Sequence, residues 1–279
     1  MAILLDGKKL SQKICATLKS KIEKLKGKKP GLAVILIGGH LASQIYVAKK
    51  EKTAKEIGFY SEVHRLAATS EEKEILNLIQ YLNESSKIHG ILVQLPLPTH
   101  IRTQTILNAV SPLKDVDGFH PLNLGRLLIG DPLFIPCTPQ GVMELLKEYR
   151  IDLSGKHAVI VGRSLIVGKP LAHLLLSQNA TVTICHSKTQ NLEEMCQSAD
   201  ILISAIGKPH FIKNSFVKEG AIVVDVGINR LNNKTVGDID FDAVSKKASF
   251  ITPVPGGVGP MTIALLLQNT FKSFERSLS

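Results

Sequence analysis

Residues 158–176 read AVIVGRSLIVGKPLAHLLL, and this stretch carries the clearest indication of the fold. The apolar run before Gly162 predicts a buried strand, the glycine a tight turn, and the apolar spacing after Gly168 a helix. A dinucleotide-binding turn usually reads G-x-G-x-x-G, but Ser164 and Val167 stand here in the second and third glycine positions. The stretch therefore fits either a pyrophosphate site at a helix N-terminus or an ordinary strand-to-helix turn.

The rest of the chain alternates apolar runs with helical patterns. Runs typical of strands occupy 32–38, 90–98, 157–162, 181–186, 201–207, 221–228 and 250–254. Helical stretches between such runs are typical of parallel sheets. We predict an α/β protein with two α/β domains flanking a cleft, the second a Rossmann-type doubly wound parallel sheet. The domains are expected over 1–122 and 123–260, with a last amphipathic helix, 261–279, packing back on the first domain.

Composition excludes several classes of protein. The four cysteines lie far apart with no C-x-x-C pair, which argues against a disulfide framework or a zinc site and favours a reducing compartment. With 5% aromatic residues and no Trp, stacking platforms for single-stranded nucleic acid are not expected. The net charge of +10 is either a solvated basic surface or an attraction for anions. We expect a cytoplasmic protein with no signal peptide, metal, nucleic acid or membrane span.

The residues at the end of the predicted strand 181–186, the next strand after the Gly162 turn, bear on the preference for NAD or NADP. An NAD site usually has Asp or Glu there, bound to the ribose 2′-hydroxyl. This chain has His186, Ser187 and Lys188 instead, and Arg163 lies in the turn. A guanidinium and a hydroxyl bind a 2′-phosphate that a carboxylate would repel, so we predict NADP rather than NAD. The alternative is that these are surface polar residues at a strand end.

The segment SQIYVAKK, residues 43–50, is a second candidate site. If it is helical, Ser43, Tyr46 and Lys50 lie on one face, where a ring can hold a flat substrate beside an amine. The alternative is an ordinary surface pair. Short-chain dehydrogenases share the Tyr–Lys spacing but place it downstream of the nucleotide turn, whereas here it lies upstream of Gly162.

Three other stretches are unusual for plain scaffold. Gln94 interrupts the apolar run GILVQLPLP, Asp115 and Asp117 precede a glycine in KDVDGFHP, and TPVPGGVGPMT fills 252–262. A buried amide needs partners, D-G is common in turns, and a Gly-rich loop lets backbone approach a ligand. Each stretch is therefore either structural or part of a site.

These segments, with PCTPQG, GRSLIVGKP and GAIVVDVGINR, together resemble the bifunctional methylenetetrahydrofolate dehydrogenase/cyclohydrolase family. They follow the family's order from residue 43 to 262. The resemblance implies NADP-dependent oxidation of 5,10-methylenetetrahydrofolate to 5,10-methenyltetrahydrofolate, followed by hydrolysis to 10-formyltetrahydrofolate, in one-carbon metabolism and purine biosynthesis. The alternative is an NADP-linked dehydrogenase of the same two-domain plan without cyclohydrolase activity. A basic nucleic-acid-binding protein would need a recognition motif, and the sequence contains none that we identify.

The resemblance also implies a role for each matching residue. Lys50 would be the central acid–base group, Gln94 would hydrogen-bond it, Tyr46 would stack on the aminobenzoyl ring, and Asp117 would anchor the pterin. Further folate contacts would be Val93, Leu95, Pro255, Gly256, Gly257, Val258 and Gly259. The NADP contacts would be Gly162, Arg163, Ser164, Gly168, His186, Ser187 and Ile228.

Two further expectations concern charge and assembly. A free lysine has a pKa of about 10.4, so we expect burial and a cationic intermediate to lower the pKa of Lys50 and let it act partly as a neutral amine. The resemblance implies a homodimer, and the basic charge suits folates that carry a glutamate tail.

Overall fold

The computed structural model describes residues 2–25, 27–232 and 234–278. The strands are β1 Ile3–Leu4, β2 Gly31–Ile37, β3 Tyr60–Leu66, β4 Gly90–Val93, β5 His157–Val161, β6 Thr181–Cys185, β7 Ile201–Ser204, β8 Ile222–Asp225, β9 Asn229–Leu231, β10 Lys234–Val236 and β11 Phe250–Ile251. The α-helices are α1 Gly7–Glu23, α2 Leu41–Glu56, α3 Glu72–Glu84, α4 Thr103–Ala109, α5 Pro121–Leu128, α6 Cys137–Glu148, α7 Gly168–Leu176, α8 Leu192–Gln197, α9 Phe241–Val244 and α10 Val258–Ser277. Within the described ranges, no helix is long and apolar enough to cross a membrane.

The chain divides into two compact units. The six-stranded unit comprises Met1–Gln12 and Pro136–Thr262, and the three-stranded unit comprises Lys13–Ile135 and Ile263–Ser279. This division differs from the expected boundaries at 1–12, at 123–135 and at 261–262. The first residues join the six-stranded unit because β1 pairs with β11. The stretch before α6 stays in the three-stranded unit, where α10 holds it through a hydrogen bond from Lys272 Nζ to the Leu133 carbonyl (2.7 Å).

Most of the last helix belongs to the three-stranded unit. From Ile263 onward α10 groups with Lys13–Ile135. The Asn269 side-chain amide donates to the carbonyls of Val116 (2.9 Å) and Ile135 (3.1 Å), which ties the helix to this unit. Residue 279, the end of the helix expected from the sequence, lies outside the described residues.

The six-stranded unit contains one parallel sheet in the order β1-β11-β8-β7-β5-β6. From β5 the chain adds β6 on one side and then crosses back to add β7 on the other side of β5. The direction of winding therefore reverses at β5 and β7, and such a switch point opens a ligand crevice at the carboxyl ends of the strands. The apolar runs predict five of its six strands, all except β1, and side chains such as Val159, Leu202 and Val223 are fully buried.

The three-stranded unit has a parallel sheet in the order β3-β2-β4. Every residue of the central strand β2 is buried, as the continuous apolar run predicts. Ile35 and Ile91 from the sheet pack with Ile75, Ile79 and Ile106 from the helices to form the core. This arrangement places the carboxyl ends of β2 and β4 side by side, with α2 following directly after β2.

Candidate functional site

The buried face of α2 carries Lys50. Ser43, Val47, Lys50 and Ala54 form this face, and Lys50 is only 5% exposed although it is a lysine. A buried ammonium or amine requires a polar partner. The Lys50 Nζ atom donates a hydrogen bond to Gln94 Oε1 at 3.0 Å. The structure therefore brings together the helix residue and the strand-end amide that the sequence identified separately.

Gln94 follows β4 directly and is fixed at both its backbone and its side chain. Its backbone N–H donates to the Ile35 carbonyl (2.9 Å), which continues the β2–β4 pairing by one residue. Its side-chain amide donates to the Leu95 carbonyl (2.8 Å), so the remaining amide oxygen faces Lys50. Gln94 thus orients the Lys50 side chain. Val93, the residue before it, is buried at the end of β4, and Leu95 is half-buried.

Tyr46 lies one helical turn before Lys50. The Lys50 Nζ atom is 5.8 Å from the centre of the Tyr46 ring, within range of a cation–π contact. Burial raises the pKa of the Tyr46 hydroxyl to about 12, so the phenol stays protonated at neutral pH. Tyr46 can therefore offer a flat face and a hydroxyl donor but does not act as a base. Ser43, the third residue of the pattern, instead contacts His40 Nδ1 through its hydroxyl (3.2 Å) at the start of the helix.

The turn that carries Asp117 is held by a second carboxylate, Asp115. Asp115 is 5% exposed and accepts hydrogen bonds from the backbone N–H groups of Phe119 (3.1 Å) and His120 (2.8 Å) and from the Asn123 side chain (2.8 Å). Asp117 lies inside this turn and is half-buried. The sequence left open whether this stretch is an ordinary D-G turn or part of a site, and it gave no role to Asp115. The role of Asp115 depends on the distant Asn123 amide, which spacing does not reveal.

Titration of the Asp115 carboxyl makes the free energy of unfolding depend on pH. Burial raises the pKa of its carboxyl to about 6, above the usual value in an unfolded chain, so the folded state binds the proton more tightly. Its stabilising contribution is complete below about pH 4 and is lost as the pH rises through about 6. We expect the unfolding free energy of the wild type, relative to Asp115→Asn, to fall by about 1.4 kcal/mol between about pH 5 and pH 8. Chemical denaturation of both proteins at these pH values measures the difference, and parallel pH dependences would rule out this role for Asp115.

The turn after β5 leaves no room for side chains at two glycines. Gly162 has φ +131°, and a Cβ there would lie 2.4 Å from the Ala205 carbonyl oxygen. A Cβ at Gly168 would lie 2.1 Å from the Gly162 carbonyl oxygen, because the turn folds back against the start of α7. This close backbone approach at the carboxyl end of β5, beside a helix N-terminus, is the geometry that a dinucleotide site requires. The chain therefore fits a dinucleotide although the glycine spacing departs from the usual pattern.

Ser164 shapes this turn. Its hydroxyl oxygen accepts hydrogen bonds from the backbone N–H groups of Val167 (3.1 Å) and Gly168 (3.4 Å). The hydroxyl proton can still be donated to a ligand, since a serine both donates and accepts. Arg163 is exposed at the same turn. The polar residue in the second glycine position is thus compatible with an anion site.

The end of β6 lies next to the Gly162 turn. The Gly162 N–H donates to the Cys185 carbonyl (2.9 Å), so His186 and Ser187 follow immediately beside it. His186 is held in a local turn, where its Nδ1 accepts from the Lys188 N–H (3.1 Å). Ser187 is exposed. Ile228 follows β8 in the same unit and is 47% exposed.

The structure separates the predicted site residues into two sets. Tyr46, Lys50, Val93, Gln94, Leu95 and Asp117 belong to the three-stranded unit, whereas the predicted nucleotide residues and 255–259 belong to the six-stranded unit. Sequence reasoning missed the loop 205–208, which follows β7 and contacts the Gly162 turn. The apolar run ending in Ala-Ile-Gly at 205–207 was the only signal for it. Within the described part of the chain, no cluster of three or more His, Cys, Asp or Glu side chains could hold a metal ion.

Comparison with known proteins gives consistent matches over nearly the whole chain. Residues 5–117 match the family model "Tetrahydrofolate dehydrogenase/cyclohydrolase, catalytic domain", and residues 136–278 match the NAD(P)-binding domain of the same family. The "Bifunctional protein FolD" of Streptococcus agalactiae is 57% identical over 283 residues, covering 100% of both chains.

Solved structures agree with this assignment of the domains. The bifunctional FolD enzyme, methylenetetrahydrofolate dehydrogenase/cyclohydrolase, from Campylobacter jejuni is 54% identical, with a TM-score of 0.96 over 99% of both chains. The Trypanosoma brucei enzyme, solved with NADP and an inhibitor, is 38% identical, with a TM-score of 0.96 over 99% of this chain and 98% of that one. Both the fold and the sequence of these enzymes therefore match the present chain.

Proposed function

The chain belongs to the tetrahydrofolate dehydrogenase/cyclohydrolase family, and from this premise we infer how its residues divide the work of two reactions. It oxidises 5,10-methylenetetrahydrofolate with NADP⁺ to 5,10-methenyltetrahydrofolate and hydrolyses that product to 10-formyltetrahydrofolate. The alternative, a dehydrogenase without cyclohydrolase activity, is not favoured, because full-length relatives at 57% identity are named bifunctional. The chain is thus an oxidoreductase and a hydrolase of one-carbon metabolism.

The three-stranded unit carries the proposed folate-binding residues. Tyr46 offers its ring face to the aminobenzoyl group, and Asp117 accepts hydrogen bonds from the aminopyrimidine edge of the pterin. Val93 and Leu95 flank Gln94 and contribute apolar contacts beside it. The folate contacts predicted at 255–259 stay a prediction from the resemblance alone.

The dehydrogenase step is mainly a matter of positioning. Bound NADP⁺ supplies the hydride acceptor, and hydride transfer needs no strong base from the protein. The residues proposed to hold the cofactor are Gly162, Arg163, Ser164, Gly168, His186, Ser187 and Ile228. Gly162 and Gly168 allow the backbone to approach the pyrophosphate, whereas Arg163 and Ser187 are exposed where a 2′-phosphate can meet a positive charge and a hydroxyl. Correct placement of both reactants then accounts for most of the rate.

The cyclohydrolase step needs proton transfer. A water molecule that attacks the methenyl carbon must lose a proton, and a ring nitrogen must later gain one. The methenyl group is cationic and disfavours a second positive charge nearby, so the neutral Lys50 amine is the form that accepts the proton from water. The Gln94 side-chain oxygen keeps the amine oriented by accepting a hydrogen bond from one of its N–H groups. The single observation that carries this proposal is the 3.0 Å hydrogen bond between the buried Lys50 and the half-buried Gln94.

Substitution of Gln94 tests this assignment. We expect Gln94→Ala to slow the hydrolysis of added methenyltetrahydrofolate by about a hundredfold, because the amine loses its orienting acceptor. The assay contains no NADP, so it measures this step alone. Gln80→Ala serves as the matched control, since Gln80 is exposed on α3 of the same unit, and it should hydrolyse at the wild-type rate. Wild-type hydrolysis by Gln94→Ala would remove Gln94 from the mechanism.

Arg163 is proposed to select NADP over NAD. We expect Arg163→Ala to raise the Michaelis constant for NADP about tenfold or more and to change that for NAD less than about twofold, because only NADP carries the 2′-phosphate. Steady-state kinetics with each cofactor measure the difference. Lys156→Ala removes a charge at the opposite end of β5 and should change neither constant. Equal effects of Arg163→Ala on the two cofactors would contradict the assignment.

Assembly, substrate form and location are further proposals. We propose a homodimer in the cytoplasm, on the family resemblance and on the four cysteines, which lie far apart in the sequence with no C-x-x-C pair. We also propose that basic side chains favour folates with a polyglutamate tail. Light scattering on the purified protein tests the dimer, and a lower Michaelis constant for the polyglutamylated substrate, reversed by salt, tests the tail.

A further inference from the structure

Asp238 is a fully buried carboxylate in the six-stranded unit. Within the described part of the chain it accepts five hydrogen bonds. Its Oδ2 atom accepts from the Ser204 hydroxyl (3.1 Å) and the N–H groups of Ile206 (2.8 Å) and Gly207 (3.2 Å). Its Oδ1 atom accepts from the N–H of Lys208 (2.9 Å) and the Asn229 side chain (2.9 Å). Asp238 therefore holds three consecutive residues, 206–208, of the loop 205–208.

This loop lies at the switch point of the sheet. It follows β7, whose neighbour is β5, and the Ala205 N–H donates to the Val161 carbonyl (2.8 Å). The Ala205 carbonyl fills the space that a side chain at Gly162 would occupy. The loop is thus one wall of the crevice at the carboxyl ends of β5 and β7, where dinucleotides bind in doubly wound folds.

Asp238 also connects this wall to the segment after β8. Asn229, which it holds, is the immediate neighbour of the exposed Ile228. A Cβ at Gly227 would lie 2.1 Å from Asp238 Oδ1, so the backbone at that position is pressed against the carboxylate. The carboxylate of Asp225 in turn accepts a hydrogen bond from the Asp238 N–H (3.0 Å). One buried side chain therefore fixes the positions of two segments that border the same crevice.

We propose that Asp238 is a positioning residue for NADP, which fixes the 205–208 loop and the Ile228 segment in the geometry that the cofactor requires. The proposal deepens the NADP-dependent function and rests on it. Asp238 acts through backbone N–H groups and does not itself contact the cofactor. An asparagine has the same shape but presents an NH₂ group where the carboxylate accepts, so some of the N–H groups would lose their partner.

The test compares NADP binding with an activity that does not need NADP. Calorimetric titration of Asp238→Asn should show a dissociation constant for NADP about tenfold or more above that of the wild type. Hydrolysis of added methenyltetrahydrofolate without NADP should stay within about twofold of the wild-type rate. Asp200→Asn is the matched control, because Asp200 accepts from the His157 N–H (2.9 Å) at the amino-terminal ends of β5 and β7, away from the crevice at their carboxyl ends. That variant should bind NADP as the wild type does.

The possible results distinguish failure of the NADP-dependent function from failure of the positioning role of Asp238. If the wild type does not bind NADP, the proposed function itself fails. If Asp238→Asn binds NADP like the wild type, or loses hydrolysis and NADP binding in parallel, only the positioning role is overturned. If Asp238→Asn does not fold, Ser204→Ala removes a single donor and should raise the dissociation constant about two- to threefold. An unchanged constant in Ser204→Ala would then overturn the proposal.

Discussion

Replacing Lys50 with methionine should slow the hydrolysis of methenyltetrahydrofolate by about a thousandfold. Methionine has similar length and suits a buried position, but it has no group that can take a proton from water or return one to the ring nitrogen. General acid–base groups contribute about 10² to 10⁴ in rate, and Lys50 is proposed to act in both proton transfers. The decay of added methenyltetrahydrofolate with purified Lys50→Met, without NADP, measures the effect.

Two controls separate chemistry from folding. Lys49→Met removes the same charge from the neighbouring, exposed position of α2 and should leave hydrolysis unchanged. Lys50→Met leaves the Gln94 oxygen without its donor and is expected to cost about 1–3 kcal/mol of stability, so its thermal unfolding must be recorded too. We expect substitutions of Lys50 to affect the rate of the dehydrogenase step less uniformly than the rate of hydrolysis, because hydride transfer depends on positioning rather than on a base. Normal hydrolysis by a folded Lys50→Met protein would refute the acid–base role.

Replacing Gly168 with alanine should weaken NADP binding by about a hundredfold. The added methyl group would lie 2.1 Å from the Gly162 carbonyl oxygen, a distance that only a backbone shift can relieve. The turn and the start of α7 would then move apart, which disrupts the surface that approaches the pyrophosphate. A buried steric conflict of this kind also costs about 1–3 kcal/mol of stability. Calorimetric titration with NADP measures the first effect and thermal unfolding the second.

A second glycine provides the comparison for Gly168→Ala. Gly125 lies within α5 of the three-stranded unit, and a Cβ there meets nothing within 4 Å. Gly125→Ala should therefore bind NADP normally and gain up to about 1 kcal/mol of stability, because alanine is the better helix former. Hydrolysis of methenyltetrahydrofolate should persist in both variants while they remain folded. Wild-type NADP affinity in Gly168→Ala would contradict the proposed nucleotide turn.

The sequence predicts those strands whose apolar character is continuous. The strands β2, β5 and β7 are fully or nearly fully buried, and their apolar runs alone indicate a parallel sheet. The strands β1, β3, β9 and β10 were missed. β1 has two exposed residues and owes its existence to pairing with β11, and β3 is an edge strand in which polar residues such as Glu62 and His64 are partly exposed. β3 lacks a continuous apolar run, and both β1 and β3 owe their structure to pairing with strands that are distant in sequence.

The sequence likewise predicts some features of the candidate site and not others. Helical spacing predicts that Tyr46 and Lys50 share a face, but it does not show that Gln94 meets the amine, because that contact depends on how β4 ends beside β2. The resemblance supplied this pair before the structure. Asp115 and Asp238 were not predicted as anchors. Their partners are mostly backbone N–H groups, which every sequence contains, so only the folded chain reveals which carboxylate they meet.

The most direct test of the central claim follows one reaction of the purified wild type that starts from methylenetetrahydrofolate and NADP⁺. NADPH and the methenyl absorbance are recorded together. If one chain performs both reactions, NADPH should rise steadily while the methenyl signal appears, stays below NADPH and decays to 10-formyltetrahydrofolate faster than in a protein-free control. A methenyl signal that accumulates in step with NADPH and decays only at the protein-free rate would contradict the account.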